Sequence, residues 1–224
     1  MDKRIKKMIL TSIFAAMSVL LYLFPKFSLP IFPSFLEMNF SMLPIVICGF
    51  SCGPMFGGIC VLLRYLSNLI LEGSITAGVG EIMDLMLGGF VVIASSLIYN
   101  YIKVKEPKKS IISLAICLVV WVISAVILNI VYAIPLYLKL YFNGNVNILV
   151  SALKIIPGIT TSNYMVKYII YAVIPFNLIL ASVVLIITFF VNKAIYILYD
   201  NEKLSKKDIE NLDNDNDEIV EENA

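Results

Sequence analysis

The residues best suited to chemistry lie in one stretch, residues 36–89, where charged side chains interrupt long apolar runs. Arg64 and Asn68 stand four residues apart in one run, and Glu81 and Asp84 follow a glycine-rich turn at the start of the next. Charges in apolar surroundings are costly unless they are paired or face an aqueous cavity. They therefore predict a buried ion pair or a polar site, with Glu81 and Asp84 as the nearest partners for Arg64. The alternative is an arginine that extends outward to water within a structural ion pair.

Two amide side chains, Asn129 and Asn177, interrupt later apolar runs in the sequences LNIVYAIPLY and IPFN. An asparagine offers both a hydrogen-bond donor and an acceptor, so it can bind a polar ligand edge. It can equally bond another asparagine or a neighbouring helix, and the residues alone favour this structural role.

The chain has few residues of the types that enzymes use for catalysis. The absence of histidine excludes a histidine-based triad, a histidine-ligated metal and a histidine proton relay. The four cysteines lie in apolar runs without the paired spacing of a zinc site. The concentrated acidic candidates, Glu37, Glu81 and Asp84, form no recognisable metal-binding motif. We therefore expect no catalytic residue, no metal site and no nucleic-acid partner.

The composition predicts an all-α integral membrane protein, because 60% of the 224 residues are hydrophobic and the mean hydropathy is +0.91. A helix needs roughly 20 residues to cross the hydrocarbon layer. Apolar runs near that length predict six transmembrane helices within residues 1–199, at about 6–25, 40–52, 55–72, 79–103, 110–142 and 163–198.

The charge distribution predicts the orientation in the membrane. Four basic residues precede the first helix, four lie between the fourth and fifth, and four surround the end of the sixth. Because basic loops stay inside, both termini are expected to be cytoplasmic. Residues 200–224 contain ten acidic residues and few apolar ones, which predicts a disordered cytoplasmic tail.

Other local signals predict how the helices are connected. The loop after helix 1, PKFSLPIFPSFLEMNF, is rich in proline and phenylalanine and should fold over the helix ends as a lid. Gly53-Pro54 predicts a tight turn, and Pro135 and Pro175 predict kinks. A short surface helix is expected within residues 143–163. Helix 1 also carries a small-xxx-small pattern, which permits close approach of another helix.

Five segments in order resemble one family, the substrate-binding S components of energy-coupling factor vitamin transporters, and within it the riboflavin-specific branch. The resemblance extends over about residues 6–198. The matching segments are FLEMNFSMLP (Phe35–Pro44), GFSCGPMFGG (Gly49–Gly58), TAGVGEIMDLMLGG (Thr76–Gly89), LNIVYAIPLY (Leu128–Tyr137) and IPFN (Ile174–Asn177).

The resemblance implies a membrane subunit that binds riboflavin from outside the cell and hydrolyses nothing. Riboflavin would be the transported ligand, with no cofactor. The partners it implies are a transmembrane scaffold protein and two cytoplasmic ATPases in the plasma membrane of a bacterium. It also makes Ser12 and Ala16 of helix 1 the expected scaffold-docking residues.

The resemblance further implies the ligand-binding residues. Asn129 and Asn177 match family positions that contact flavin, while Glu81 and the Leu36–Phe40 region match segments that line or close the pocket. The expected substrate-binding residues are Leu36, Asn39, Phe40, Glu81, Asn129, Tyr132 and Asn177.

The chain also departs from the family pattern. It reads Asn39-Phe40-Ser41-Met42 where the family often reads D-F-S-D, and Leu180 where a lysine is often found. Such a lysine would be able to engage the ligand directly. Either flavin is held differently here, or the ligand is another vitamin or a flavin analogue. For the class of protein, an integral-membrane enzyme is a further alternative.

Overall fold

Long apolar helices make up most of the computed structural model, which describes residues 2–74, 78–104 and 106–194. The predicted all-α membrane fold is confirmed, and the observed helix bounds lie within a few residues of the predicted ones. The predicted acidic tail and residues 195–198 of the predicted sixth helix lie outside the described residues. In chain order the elements are α1 (Lys3–Leu23), β1 (Phe27–Ser28), β2 (Glu37–Met38), α2 (Met42–Cys52), α3 (Pro54–Leu71), α4 (Val79–Tyr101), α5 (Lys108–Leu140), α6 (Val146–Ala152) and α7 (Tyr164–Ala194).

Five of the described helices, α1, α3, α4, α5 and α7, are long and apolar enough to cross a membrane. Helix α2 has only 11 residues but is almost entirely buried. The count of six spans and the cytoplasmic position of both termini stay predictions. The expected surface helix is present as α6.

Helices α2, α3 and α4 pack closely because small residues stand where they meet. Gly53 has a φ of 101°, a left-handed conformation that favours glycine, and Pro54 begins α3 directly after it. A Cβ added at Gly57 would lie 2.7 Å from Cγ2 of Val92, and one added at Gly49 would collide with the hydroxyl of Ser96. The predicted tight turn therefore joins two helices that lie against α4.

The two longest helices each contain a π-helical turn, at Asn129–Ala133 in α5 and Ile169–Val173 in α7. Each turn ends directly before an Ile-Pro pair, containing Pro135 or Pro175. A proline lacks the amide hydrogen and crowds the preceding turn, and a wider turn relieves that crowding. Where the sequence predicts kinks at the prolines, the structure thus has a π-helical turn on the N-terminal side of each proline.

Residues 24–41, called the lid here, fold back over the helix ends as the sequence predicts. Strands β1 and β2 pair in antiparallel register, with Phe27 opposite Met38. Phe32 is 5% exposed and packs edge-on against Phe176 of α7, with ring centroids 5.5 Å apart. Phe35 contacts rings of both α5 and α7. Aromatic packing therefore holds the lid against these two helices.

A candidate ligand-binding cavity

A cavity of about 320 Å³ lies beneath the lid and is lined by residues of α1, α2, α3, α4, α5 and α7. This volume is within the range of small-molecule sites. Its lining residues differ in chemistry between two groups. The first group, called the amide end, comprises Trp121, Asn129, Tyr168, Phe176, Asn177 and Leu180. The second, called the charged end, comprises Tyr22, Lys26, Glu37, Asn68, Glu72 and Asp84.

At the amide end, both predicted asparagines have backbone and side-chain partners. Nδ2 of Asn129 donates to the carbonyl of Ala125 at 2.8 Å, and its Oδ1 accepts from the Tyr168 hydroxyl at 3.4 Å. Nδ2 of Asn177 donates to its own preceding turn at 2.9 Å, and its Oδ1 accepts from the indole nitrogen of Trp121 at 3.2 Å. These bonds fix the orientation of both amides and leave each one a second N–H.

The π-helical turns lie next to both asparagines. Asn129 is the first residue of one turn, and the carbonyl that Asn177 binds belongs to Val173, the last residue of the other. The wide turns and the following prolines thus form the backbone that positions the two amides. π-Helical turns occur frequently at functional sites.

At the charged end, cations and carboxylates are paired. Nζ of Lys26 lies 3.2 Å from Oε2 of Glu37 and 3.4 Å from Oε2 of Glu72. Burial lowers the pKa of Lys26, but its hydrogen bond to Glu37 and the nearby negative charges outweigh that effect, so the pKa is raised. The lid is therefore joined to the end of α3 by an ammonium group that stays charged.

Arg64 underlies the charged end and is 1% exposed. Its Nη1 donates to Oδ2 of Asp84 at 2.7 Å and to the hydroxyl of Ser41 at 2.8 Å. The Ser41 hydroxyl in turn donates to Oδ1 of Asn39 at 2.7 Å. The predicted ion pair with Asp84 is present, and the arginine is buried instead of extending outward to water.

Five of the seven predicted ligand-binding residues line the cavity: Leu36, Asn39, Glu81, Asn129 and Asn177. Phe40 packs against the hydrophobic core instead, and Tyr132 is partly exposed outside the cavity lining. Ligand contact by any of the seven stays a prediction. Ser12 and Ala16 are exposed on α1, and their docking role also stays a prediction.

Several lining residues were not singled out from the sequence as ligand-binding residues. Asn68 shares a helix face with Arg64, and this spacing was the signal available for it. Trp121 is the sole tryptophan of the chain and lies in an apolar run, where nothing in the sequence distinguishes it from a core residue. Tyr168 gave no signal beyond its aromatic character, whereas Phe176 lies in the IPFN segment next to Asn177.

The sequence profile of one family, described as "ECF transporter, substrate-specific component", matches residues 6–192. The chain belongs to this family. It is similar to the riboflavin transporter RibU of Staphylococcus aureus (strain TCH60), with 30% identity over 81% of this chain and 86% of that protein. It is also similar to the riboflavin transporter FmnP of Bacillus subtilis (strain 168), with 27% identity over 76% of this chain and 88% of that protein.

A solved structure of the S component of a bacterial ECF transporter has the same fold. The TM-score is 0.66 at 25% sequence identity, over 88% of this chain and 99% of the other. This S component is accordingly a multi-pass protein of the plasma membrane, and its family serves in transport by binding substrate.

Proposed function

We propose that this S component captures riboflavin from outside the cell and presents it for ATP-driven uptake. The observation that carries the proposal is the pair of oriented amides, Asn129 and Asn177, beside aromatic rings in the cavity beneath the lid. Two similar proteins bear the name riboflavin transporter. Riboflavin would be cargo rather than a cofactor.

The amide end suits the flavin ring system. A flavin is flat and largely apolar, with donors and acceptors along one edge. Each asparagine has one uncommitted N–H for such an acceptor, and its carbonyl oxygen has a second lone pair for a donor. Trp121, Tyr168 and Phe176 supply apolar surface for the ring faces.

Binding of riboflavin to the purified protein tests this function. Quenching of flavin fluorescence should be saturable, and Asn129→Ala and Asn177→Ala should each weaken binding by about 1–3 kcal/mol, since ligand atoms lose partners. Asn147→Ala is the matched control, because Asn147 is exposed on α6. Equal affinity in all four proteins would remove the amide end from the site, and no quenching by the wild type would refute riboflavin as ligand.

The partners we propose are a transmembrane scaffold protein and two cytoplasmic ATPases. Ser12 and Ala16 lie on the exposed face of α1, where small side chains permit close helix contact. Ser12→Leu and Ala16→Leu should abolish uptake in cells while riboflavin binding by the purified protein is unchanged. Loss of binding as well would assign these residues to the fold of α1 instead.

One observation favours a second candidate, an S component for another vitamin or a flavin analogue. Leu180, which stands where the family resemblance implies a lysine, lies in the amide end and is 8% exposed. An apolar side chain there removes a cation from the site. A panel of vitamins in the same binding assay distinguishes the two, because a ligand that binds more tightly than riboflavin would replace it.

A further inference from the structure

Ser41 precedes α2 at the position where a serine often caps a helix, but its hydroxyl is bonded elsewhere. Among the described residues, this hydroxyl makes no hydrogen bond to the first turn of α2. A capping bond of that kind normally stabilises a helix. The Ser41 hydroxyl instead joins Arg64 of α3 to Asn39 of the lid. The role of this serine therefore lies outside the helix that it precedes.

The chemistry of the donors fixes the direction of these hydrogen bonds. Nη1 of Arg64 can only donate, so the oxygen of Ser41 accepts from it, at 2.8 Å. The hydroxyl hydrogen is then left for Oδ1 of Asn39, at 2.7 Å, and the backbone N–H of Ser41 donates to the same oxygen at 3.2 Å. Two donors identify this atom as the amide oxygen and place Nδ2 on the opposite side of the amide. Ser41 thus sets the orientation of the Asn39 amide.

Ser41 reaches the cavity only through Asn39. Asn39 lines the cavity, whereas Ser41 is fully buried and is not among the lining residues. The same Nη1 atom of Arg64 that donates to Ser41 also donates to Asp84 of α4, at 2.7 Å. Hydrogen bonds from a charged donor are stronger than those from a neutral one. The Ser41 hydroxyl is therefore held firmly from the side away from the lid.

The inner end of the lid, residues 38–41, is also joined to α1 by hydrogen bonds. The hydroxyl of Ser18 donates to the carbonyl of Ser41 at 2.7 Å, and the N–H of Phe40 donates to the carbonyl of Leu21 at 3.2 Å. The middle of the lid is held by the aromatic contacts described above. Hydrogen bonds are directional, whereas apolar burial is not. The inner end of the lid is therefore fixed in orientation as well as in place.

Resting on the proposed function, we propose that Ser41 is a positioning residue for substrate binding. It holds the amide of Asn39 in the orientation that receives riboflavin, and Arg64 sets the direction of its hydroxyl. Ser41 touches no substrate itself. It acts on affinity through a lining residue, and it fixes the inner end of the lid whether or not a ligand is present.

The riboflavin affinities of three variants test this role. Asn39→Ala should weaken binding about tenfold, because the ligand loses a partner. Ser41→Ala should weaken binding about threefold to tenfold, since the backbone N–H of residue 41 still holds Oδ1 of Asn39. The double variant should bind no more weakly than Asn39→Ala alone, because residue 41 then has no amide to orient.

Ser110→Ala is the matched control for Ser41→Ala. Ser110 is buried, accepts from Nδ2 of Asn192 at 2.7 Å and donates to Oε2 of Glu106 at 2.6 Å. Its hydroxyl therefore loses one accepted and one donated bond on substitution, as that of Ser41 does. Ser110 lies near the start of α5, whereas the lid contacts the far end of that helix at Tyr137. Ser110→Ala should lower stability and leave riboflavin affinity unchanged.

A second measurement needs no ligand. Met38 lies next to Asn39 and is 4% exposed, and the four native cysteines are buried. In a Met38→Cys background, a maleimide should react at residue 38 when the inner end of the lid opens. Adding Ser41→Ala should raise the labelling rate about threefold or more, because a bond that opposes opening is lost. Adding Ser110→Ala should leave the rate unchanged.

Each contrary result overturns a distinct statement. Additive losses in the double variant, or an unchanged affinity in Asn39→Ala, would mean that Ser41 does not act through Asn39. Equal losses of affinity in Ser41→Ala and Ser110→Ala would assign the effect to lost stability. Unchanged labelling on adding Ser41→Ala would mean that Ser41 does not fix the lid. If the wild type binds no riboflavin, the proposed function is refuted, and the labelling rates alone decide whether Ser41 fixes the lid.

Discussion

Removing the Asp84 carboxylate alone should destabilise this S component more than removing Asp84 together with Arg64. Arg64 is 1% exposed and Asp84 is 35% exposed, with 2.7 Å between Nη1 and Oδ2. The arginine therefore depends on its partner, whereas the aspartate also faces the cavity. The two residues of this ion pair are therefore not equivalent. This asymmetry determines which variant loses the most stability.

The magnitudes follow from what each substitution leaves behind. In Asp84→Leu the guanidinium keeps, among the described residues, the Ser41 hydroxyl and the face of the Tyr22 ring, neither of which is an anion. A buried charge without a counter-charge costs about 3–5 kcal/mol. In Arg64→Met the remaining carboxylate can be hydrated from the cavity, so the cost should be about 1–3 kcal/mol. The double variant replaces the whole pair by apolar side chains and should be close to neutral.

Unfolding of the purified protein in a denaturing detergent measures these differences, with fluorescence of the buried Trp121 as the signal. Trp121 is the sole tryptophan, so the signal has one source. Asp84→Asn keeps an acceptor for Arg64 and should fall between wild type and Asp84→Leu. The reasoning is refuted if the double variant loses as much stability as the two single variants together.

Two further predictions concern packing and hydrogen bonding away from the cavity. Gly57→Ala should destabilise the protein by about 1–3 kcal/mol, because the added Cβ overlaps Val92. Gly89→Ala in α4 is the control, since its added Cβ meets open space and should be neutral or stabilising. Thermal unfolding of the two variants distinguishes these outcomes. Ser110→Ala should lower the free energy of unfolding by about 1–3 kcal/mol, since the buried Nδ2 of Asn192 loses its acceptor at 2.7 Å. No change in the same assay would mean that water replaces the hydroxyl.

The helices were predictable because a membrane demands long apolar runs whose ends are marked by charged and turn-forming residues. The Gly53-Pro54 turn and the lid were predictable for a similar reason, since each has a local composition with few structural alternatives. Distance along the sequence reduced the candidate partners of Arg64 to two acidic residues, Glu81 and Asp84. Choosing Asp84 required the relative rotation of α3 and α4, which the sequence does not encode locally.

The site was harder to predict than the fold. Tyr132 follows Asn129 by three residues, and regular α-helical spacing would keep it near the same face. The intervening π-helical turn has more residues per turn and carries Tyr132 away from the cavity. Asn68 and Trp121 face the cavity because several helices and the lid meet there. No pattern within a single helix predicts such a meeting.

Leu180 is consistent with this division of the cavity. None of the six residues of the amide end is acidic, so an apolar residue at position 180 leaves none of them as an unpaired negative charge. The cations of the cavity stand at the other end, where carboxylates already engage them. A lysine beside Asn177 would instead bury an ammonium group among Trp121 and Phe176, at a cost that only a ligand or a new acid would offset. The leucine thus fits an amide end that recognises a neutral ring through hydrogen bonds and aromatic contact.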